Sequence, residues 1–492
     1  VGSSNDGAPV NRPIVRLYGL VGMLFALLIA FTSRWTVFEA SSLRENPLNR
    51  RAQIEQQRIN RGPIRAADGT VLAHSVRTSE GTYERTYPSG ELFAQAVGYY
   101  YPLGEGLTGL ESFRDSYLNG ESDTGIKAIL DELEGKKAQG DEVITTLDPS
   151  AQRVAISALG EHRGAVVALD PRTGAVEVMA STPGYNANAL ASRAGRLRLA
   201  REEDASPPRK SLLNRVTQYG YAPGSTFKII TASAALDTGA YTPESTVSGR
   251  NDIVVSGKPL ANDDDESYGP ITLTYALAHS VNTVWAQVAE RVGKETLRRY
   301  MERFGFDRKP KLDYPADEMS ASGEYSGTRL VDPLSPTVDL GRMGIGQDKL
   351  VVTPLQMAEV ASAVADGGRL MTPHLTDRIV NPEGQVVERF TPHLQSVVMR
   401  PSTAGEVRTM MEAVVKEGTG TQAEIPGIQV AGKTGTAETQ IGTAINNVWF
   451  IAFAPAADPR VAVAVTLEHV PGQGAAFAAP VARQVMERLL RG

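Results

Sequence analysis

Tyr221-Ala222-Pro223-Gly224-Ser225-Thr226-Phe227-Lys228 runs directly into Ile229-Ile230-Thr231-Ala232-Ser233-Ala234-Ala235-Leu236. Pro-Gly breaks whatever precedes it, the apolar run reads as a buried helix, and Gly239 marks a stop. Ser225 therefore falls in the first helical turn, where free N–H groups and the helix dipole favour negative charge. Lys228 stands three residues on, and residues i and i+3 are neighbours on a helix surface. A serine hydroxyl is a weak nucleophile until a base takes its proton. A lysine serves as that base only without its charge, which burial and a second nearby cation both promote. A lone Ser-x-x-Lys is weak evidence, but no other serine of the chain has a lysine at that distance.

Two further motifs come later in the chain. The first is Ala278-His279-Ser280-Val281-Asn282-Thr283, after an apolar segment at 271–277 and before a helical stretch at 284–292. Alone, it reads as a helix cap. Beside a Ser-x-x-Lys, Ser280 can pass a proton between Lys228 and a leaving group, and the Asn282 amide can donate to and accept from a peptide. The second is Ile428-Gln429-Val430-Ala431-Gly432-Lys433-Thr434-Gly435-Thr436-Ala437-Glu438. Its alternation of apolar and small residues suggests a strand. Lys433 can be the second cation and, with Thr436, can hold a carboxylate. Gly435 leaves room for a substrate backbone. The N–H groups of Ser225 and Thr436 can form an oxyanion hole. Gly427 and Gly432-Lys433-Thr434 also suggest a phosphate loop, but the residues after Thr434 read as strand, so the strand–loop–helix setting is missing.

Ser-x-x-Lys, Ser-x-Asn and Lys-Thr-Gly in this order are the signature of β-lactamases and penicillin-binding proteins. The chain resembles the class B, monofunctional penicillin-binding proteins, the transpeptidases that cross-link cell-wall peptides. The resemblance covers nearly everything after residue 35. It departs from the class A β-lactamases, which carry Asp where Val281 stands and need a hydrolytic water. No Glu-x-x-Leu-Asn pattern lies between Ser225 and Ser280. The resemblance implies an acyl-enzyme cycle with Ser225, Lys228 and Ser280 catalytic. Asn282, Lys433, Thr434, Gly435 and Thr436 would bind substrate. It implies peptidoglycan stem peptides as substrate, β-lactams as inhibitors, and no metal or organic cofactor. A catalytically weak structural subunit of a cell-wall synthase complex is the alternative. A β-lactam sensor would need signalling domains, which are absent from this sequence.

Composition agrees with an extracytoplasmic enzyme. The 492 residues can hold two or three domains. A net charge of −6 argues against nucleic-acid binding. Without cysteine, disulfides and thiolate chemistry are excluded. The six histidines show no ligand spacing, although His279 stands beside Ser280. Residues 17–33 carry no charge and lie between Arg16 and Arg34. A membrane span is expected at 14–34, with Tyr18 at one interface and Trp35 and Phe38 at the other. Arg12 and Arg16 favour a cytoplasmic tail at 1–13 and the bulk of the chain outside. The opening Val-Gly-Ser-Ser, without Met, reads as an expression remnant.

Residues 35–155 are expected to form a separate α/β pedestal, elongated by resemblance. Strand–turn–strand is expected at 61–73, a helical piece at 106–120, and a strand at 143–148 leading into a helix capped near Asp148. The pattern Glu45-Asn46-Pro47-Leu48-Asn49-Arg50-Arg51 is similar to that of the penicillin-binding protein A subgroup. The pedestal is too short for the glycosyltransferase domain of the bifunctional class. The resemblance therefore implies a partner, a SEDS-family polytopic glycosyltransferase (shape, elongation, division and sporulation), met through the span and the pedestal.

Residues 156–492 are expected to form the transpeptidase domain, an α+β unit. A hairpin is read at 164–169 and 175–180 around Asp170-Pro171-Arg172-Thr173-Gly174. Three strands lie near the C-terminus (429–437, 447–453 and 461–468), then a helix at 479–490. Together the two ends build a five-stranded antiparallel sheet, with a helical region at 225–425 between. Thr353-Pro354-Leu355-Gln356-Met357-Ala358 and Gly418-Thr419-Gly420 are assigned to packing. Asp263-Asp264-Asp265-Glu266 is read as a solvated loop, and the arginines at 193, 196, 198 and 201 as a charged surface.

Overall fold

The structure is a computed structural model and describes residues 11–34, 56–101, 106–121, 139–205, 209–438 and 445–491. The N-terminal tail before residue 11, Trp35, Phe38 and the Glu45–Arg51 pattern lie outside the described residues. The chain divides into two compact units, residues 1–58 and 59–492. In the first, α1 (Asn11–Ser33) is one continuous helix. Its stretch Ile14–Ser33 has 20 residues and a mean hydropathy of 2.3, long and apolar enough to cross a membrane.

The centre of the second unit is a five-stranded antiparallel sheet. It contains β5 (Gly164–Leu169), β6 (Val176–Thr182), β9 (Ala431–Glu438), β10 (Ile445–Ala454) and β11 (Val461–Pro471). Their order is β9-β10-β11-β5-β6, so the two ends of the region do meet in one sheet. β5, β10 and β11 read as nearly continuous apolar runs because both faces are covered. On one face, Val166, Ala168, Phe450, Ala452, Val463 and Val465 pack with α3 (Pro149–Leu159) and α9 (Gly474–Leu490). On the other, Val167, Leu169, Ile451, Phe453 and Ala464 join the larger core. That core holds α4 (Lys228–Asp237), α6 (Asn282–Val292) and α7 (Pro354–Ala365).

Local chemistry starts α3 where expected. The Asp148 carboxylate accepts from the N–H groups of Ser150 and Ala151, both at 2.7 Å, and Pro149 needs no N–H partner at the first helical position. Thr353 caps α7 in the same way, again ahead of a proline. In α9 the helix begins at Gly474, five residues before the expected start. Pro480 lies inside the helix instead of opening it, and Gly474, Ala478 and Ala479 are buried against the sheet.

A second sheet underlies the N-terminal part of this unit. β1 (Ile64–Arg65), β2 (Val71–Arg77), β3 (Tyr83–Thr86) and β4 (Glu142–Thr145) form it with β7 (Thr376–Val380) and β8 (Val386–Arg389), in the order β8-β7-β4-β1-β2-β3. β1 pairs parallel to β4, and β7 antiparallel to β4. Residues 376–389 thus leave the region expected to be helical and complete a sheet begun about 300 residues earlier. That expectation is corrected further by short sheets at Thr246–Ser248 with Pro270–Thr272 and at Gly323–Ser326 with Arg329–Val331. Strands this short carry too little alternation to be read from one sequence.

Around this second sheet, Glu111 in α2 (Gly109–Phe113) is fully buried between two arginines. Arg61 Nε donates to it at 2.7 Å and Arg85 Nε at 2.6 Å. Together they hold the Glu111 carboxyl below its usual range against the pull of burial. Glu111→Ala leaves two buried guanidiniums without their shared partner, which costs about 3–5 kcal/mol. Denaturant titration of the detergent-solubilised protein measures this. A loss within about 1 kcal/mol, the range of exposed pairs, contradicts it.

Candidate active site

Three segments far apart in sequence meet where the edge strand β9 faces the start of α4. Pro223 and Gly224 bring the chain across that strand, and a 3-10 turn, Gly224–Phe227, precedes α4. Ser225 therefore sits in a tight turn ahead of the α-helix rather than in its first α-turn. Gly224 has φ +53°, and a Cβ there would lie 2.5 Å from the Thr436 carbonyl oxygen. The segment is pinned to the sheet: Trp449 Nε1 donates to the Ala222 carbonyl at 3.0 Å. The Tyr221 hydroxyl donates to Glu468 at 2.8 Å, and Arg215 Nε donates to the same carboxylate at 2.7 Å.

The reason for Gly435 differs from the expectation. A Cβ at Gly435 would lie 2.7 Å from the Pro223 carbonyl oxygen and 2.9 Å from Thr226 Cγ2. The backbone that approaches Gly435 closely is the protein's own Ser225 turn. Gly224 and Gly435 together let turn and strand touch, which sets Ser225 beside Thr436.

Ser280 and Asn282 come from the junction of α5 (Leu273–Ala278) and α6. The Val281 N–H donates to the Ala276 carbonyl at 2.9 Å and the Ser280 N–H to the Leu277 carbonyl at 3.2 Å. This is a Schellman ending, whose left-handed position usually holds glycine. Ser280 occupies it with φ +58°. A serine in that conformation is strained, and such strain gathers at functional sites.

Lys228 Nζ donates to the Ser280 carbonyl at 2.6 Å, to Ser280 Oγ at 3.2 Å and to Asn282 Oδ1 at 2.7 Å. Lys433 Nζ donates to the same Ser280 Oγ at 3.0 Å and to the Thr434 carbonyl at 2.9 Å. Ser280 Oγ thus lies between two amines that are both fully buried. The turn of Ser225 joins the group through its backbone contacts with Gly435 and Thr436. Burial pushes Lys228 down to about 7, and the Asp263 carboxylate opposes that fall. Lys433 is pushed well below the ordinary lysine value by burial and by the Lys228 charge. An amine of this kind is uncharged in part at neutral pH and can take a hydroxyl proton.

Several participants were not read as site residues. Asp263, expected in a solvated loop, accepts from Asn282 Nδ2 at 3.1 Å. The burial of the neighbouring Asn262 under an otherwise acidic run leaves no periodic signal. Thr419, assigned to packing, has its hydroxyl 2.6 Å from that of Thr434. Its N–H donates to the Ala278 carbonyl at 3.0 Å, so the Gly418–Gly420 loop ties the Lys-Thr-Gly strand to the Ser-x-Asn junction. His279 turns aside and lies against Tyr275, with ring centroids 4.1 Å apart and the rings tilted by 34°. Arg196 lies over the Tyr101 ring and donates to the Leu190 carbonyl, within the helix Arg193–Glu203. Lys433-Thr434 lies inside β9 itself, not at a loop opening a helix.

The electrostatics predict an observable titration. In protein carrying 13Cε-labelled lysine, one resonance should titrate with a midpoint near 7 and vanish in Lys228→Met. If every lysine instead titrates near the ordinary value of about 10.4, the burial argument is wrong.

Comparison with known proteins agrees with this geometry. Residues 164–487 match the penicillin binding protein transpeptidase domain, and residues 61–143 the penicillin binding protein A dimerisation domain. The chain is 34% identical to the peptidoglycan D,D-transpeptidase PbpA of Mycolicibacterium smegmatis, across 98% of this chain and 99% of that relative. It is also 34% identical to PbpA of Mycobacterium tuberculosis, across 98% of this chain and 100% of the relative. The structure of penicillin-binding protein A from M. tuberculosis as an imipenem acyl-enzyme complex superposes with a TM-score of 0.79 at 33% identity, covering 89% of this chain and 100% of that one. A D,D-transpeptidase domain from Eggerthella lenta gives 0.76 at 33% identity, covering 88% and 99%. The chain belongs to the penicillin-binding transpeptidase family, in the monofunctional group that contains the penicillin-binding A proteins.

Proposed function

We propose that this chain is a serine-type peptidoglycan D,D-transpeptidase that works through an acyl-enzyme on Ser225. The observation that carries the reading is Ser280 Oγ held between the buried amines of Lys228 and Lys433, beside the turn that bears Ser225. The relatives named peptidoglycan D,D-transpeptidase support the substrate class.

Lys228, uncharged, takes the Ser225 proton. Ser225 Oγ then bonds to the carbonyl carbon between the two terminal D-alanines of a stem peptide. The N–H groups of Ser225 and Thr436 receive the charge that develops on the carbonyl oxygen. As the C–N bond breaks, a proton reaches the departing D-alanine by way of Ser280, whose hydroxyl touches both lysines. Lys433, Thr434 and Thr436 hold the donor's carboxylate end. One Asn282 amide N–H is engaged by Asp263, which leaves the other for the donor peptide. The amine of a neighbouring stem peptide attacks the ester, and Ser225 regains its proton. The Gly435 interaction with substrate is through its backbone, since its Cα faces the Ser225 turn.

β-Lactams present a reactive amide in the donor's place and acylate Ser225. The acyl-enzyme complexes of the M. tuberculosis relative support this. Residues 156–492 form the catalytic domain in this reading and 35–155 its pedestal. The helix at 14–34 is a single membrane anchor, with the N-terminus cytoplasmic because Arg12 and Arg16 lie at its N-terminal end. A SEDS-family polytopic glycosyltransferase supplies the glycan strands and meets the anchor and the pedestal. A Cβ at Gly19 or Gly22 has nothing within 4 Å in this structure, which leaves that helix face open for close packing.

Three outcomes are expected. Intact-mass analysis after penicillin treatment shows one adduct, absent in Ser225→Ala; an adduct that persists in the variant refutes the assignment. Lys228→Arg keeps the charge but cannot act as a base at neutral pH, so acylation slows by at least about 10²-fold. Near-normal acylation by that variant excludes Lys228 as the base. In membranes, Gly22→Ile or deletion of the pedestal reduces co-purification of the polymerase, and full yield from both variants places the contact elsewhere.

A further inference from the structure

Asp263 opens a short 3-10 turn, Asp263–Asp265, in the loop before the Ser-x-Asn motif. Its place is set by the residue before it. Asn262 is 6% exposed and its side chain is fully engaged. Asn262 Oδ1 accepts from the Thr283 N–H at 2.9 Å, in the first turn of α6. Asn262 Nδ2 donates to the Gly249 and Glu266 carbonyls at 3.0 and 2.9 Å. The loop is thereby clamped to α6 one residue beyond Asn282. Of its neighbours in the acidic run, Asp265 accepts from Asn251 at 3.5 Å and Glu266 accepts from the Tyr268 hydroxyl. Among the described side chains of the run, Asp263 is the one that meets the site, through Asn282 Nδ2 at 3.1 Å.

We propose that Asp263 is a positioning residue of the acylation reaction, acting through the Asn282 amide on the Lys228 amine. The inference rests on the acyl-enzyme reading of the site. An amide side chain has one accepting and one donating end. A carboxylate at the Nδ2 end makes the Oδ1 end face Lys228, where it accepts at 2.7 Å. With Asp263 neutralised, the amide is free to turn its NH2 toward Lys228, which then loses one of its three acceptors.

The charge matters as well as the orientation. Among the described residues, two titratable groups face Lys228: Asp263 from the loop and Lys433 from β9. On its other sides Lys228 meets the Ser280 carbonyl and hydroxyl and the Asn282 amide, all neutral. Asp263 favours the ammonium; burial opposes it. Loss of the Asp263 charge leaves burial unopposed, so Lys228 discharges at lower pH. The acid limb of the acylation profile, set by protonation of Lys228, moves down with it.

The test is Asp263→Asn in the full-length, detergent-solubilised protein, with Asp263→Glu as the conservative partner. Acylation by a fluorescent penicillin is followed from pH 5 to 9, roughly the range that brackets a base titrating near neutrality. For Asp263→Asn, acylation on the alkaline plateau falls about 10-fold, short of the loss from removing a base. Its acid limb moves about one unit lower. Asp263→Glu keeps the wild-type limb. In 13Cε-labelled protein the Lys228 midpoint falls in parallel. A loss of equal size at every pH with an unmoved limb and an unmoved Lys228 midpoint marks a merely structural loop, and unchanged acylation throughout overturns the proposal outright. If the wild type forms no adduct on Ser225, the acyl-enzyme reading fails on its own, and the Lys228 midpoint still decides whether Asp263 acts on that amine.

Discussion

Two lysine amines share one serine hydroxyl in a buried place, and much of the structure depends on that constraint. Burying an ammonium is costly, and burying two side by side more so. The protein answers with acceptors: the Ser280 carbonyl, the Asn282 amide and the Thr434 carbonyl each take a hydrogen from one of them. A single carboxylate, Asp263, stands beside the pair among the described residues. The remaining imbalance keeps both amines below their ordinary titration range, which is the property a lysine needs to serve as a base near neutral pH.

To bring these groups together, a helix turn, a helix junction and an edge strand must approach more closely than ordinary side chains permit. Gly224 and Gly435 provide the closest approach, backbone against backbone. Ser280 provides the second, by taking the left-handed position of a helix ending so that its carbonyl and hydroxyl both face the lysines. Gly418 provides the third, since a Cβ there would lie 2.2 Å from the Ala278 carbonyl oxygen. Behind them the sheet holds the segment: Glu468 on β11 takes bonds from Arg215 and Tyr221, and Trp449 on β10 holds Ala222. A buried ion pair contributes little net stability as such, but loss of one partner is costly. Glu468 therefore makes displacement of the Tyr221–Gly224 segment expensive.

The two sheets are joined by the chain's own path. β7 and β8 arise between α7 and α8 (Pro401–Glu417), yet β7 pairs with β4 of the N-terminal part and β8 with β7. Arg114 strengthens that seam, donating to Asp313 at 3.3 Å and to Glu388 at 3.0 Å. The six-stranded sheet thus takes two of its strands from residues 376–389, far along the chain from the other four.

The sequence by itself determined what depends on local pattern. The runs at 164–169, 447–453 and 461–468 announced strands, and Asp148 announced a helix start. The uncharged stretch at 17–33 announced a helix able to span a membrane. The order of Ser-x-x-Lys, Ser-x-Asn and Lys-Thr-Gly named the candidate residues and the family. Only the tertiary structure decided how those residues meet. Periodicity tells which side of an element is buried, not what lies against it. The partners of Ser280 lie 52 and 153 positions away. Asp263 looked like a solvated acid because its contact with Asn282 depends on how a buried neighbour clamps the loop. Gly435 looked like a gap for substrate because its actual neighbour, Pro223, comes from a segment far earlier in the chain. The short strands at 376–389 had too few residues for alternation to distinguish them from loop, and their identity came from the sheet edge that they complete.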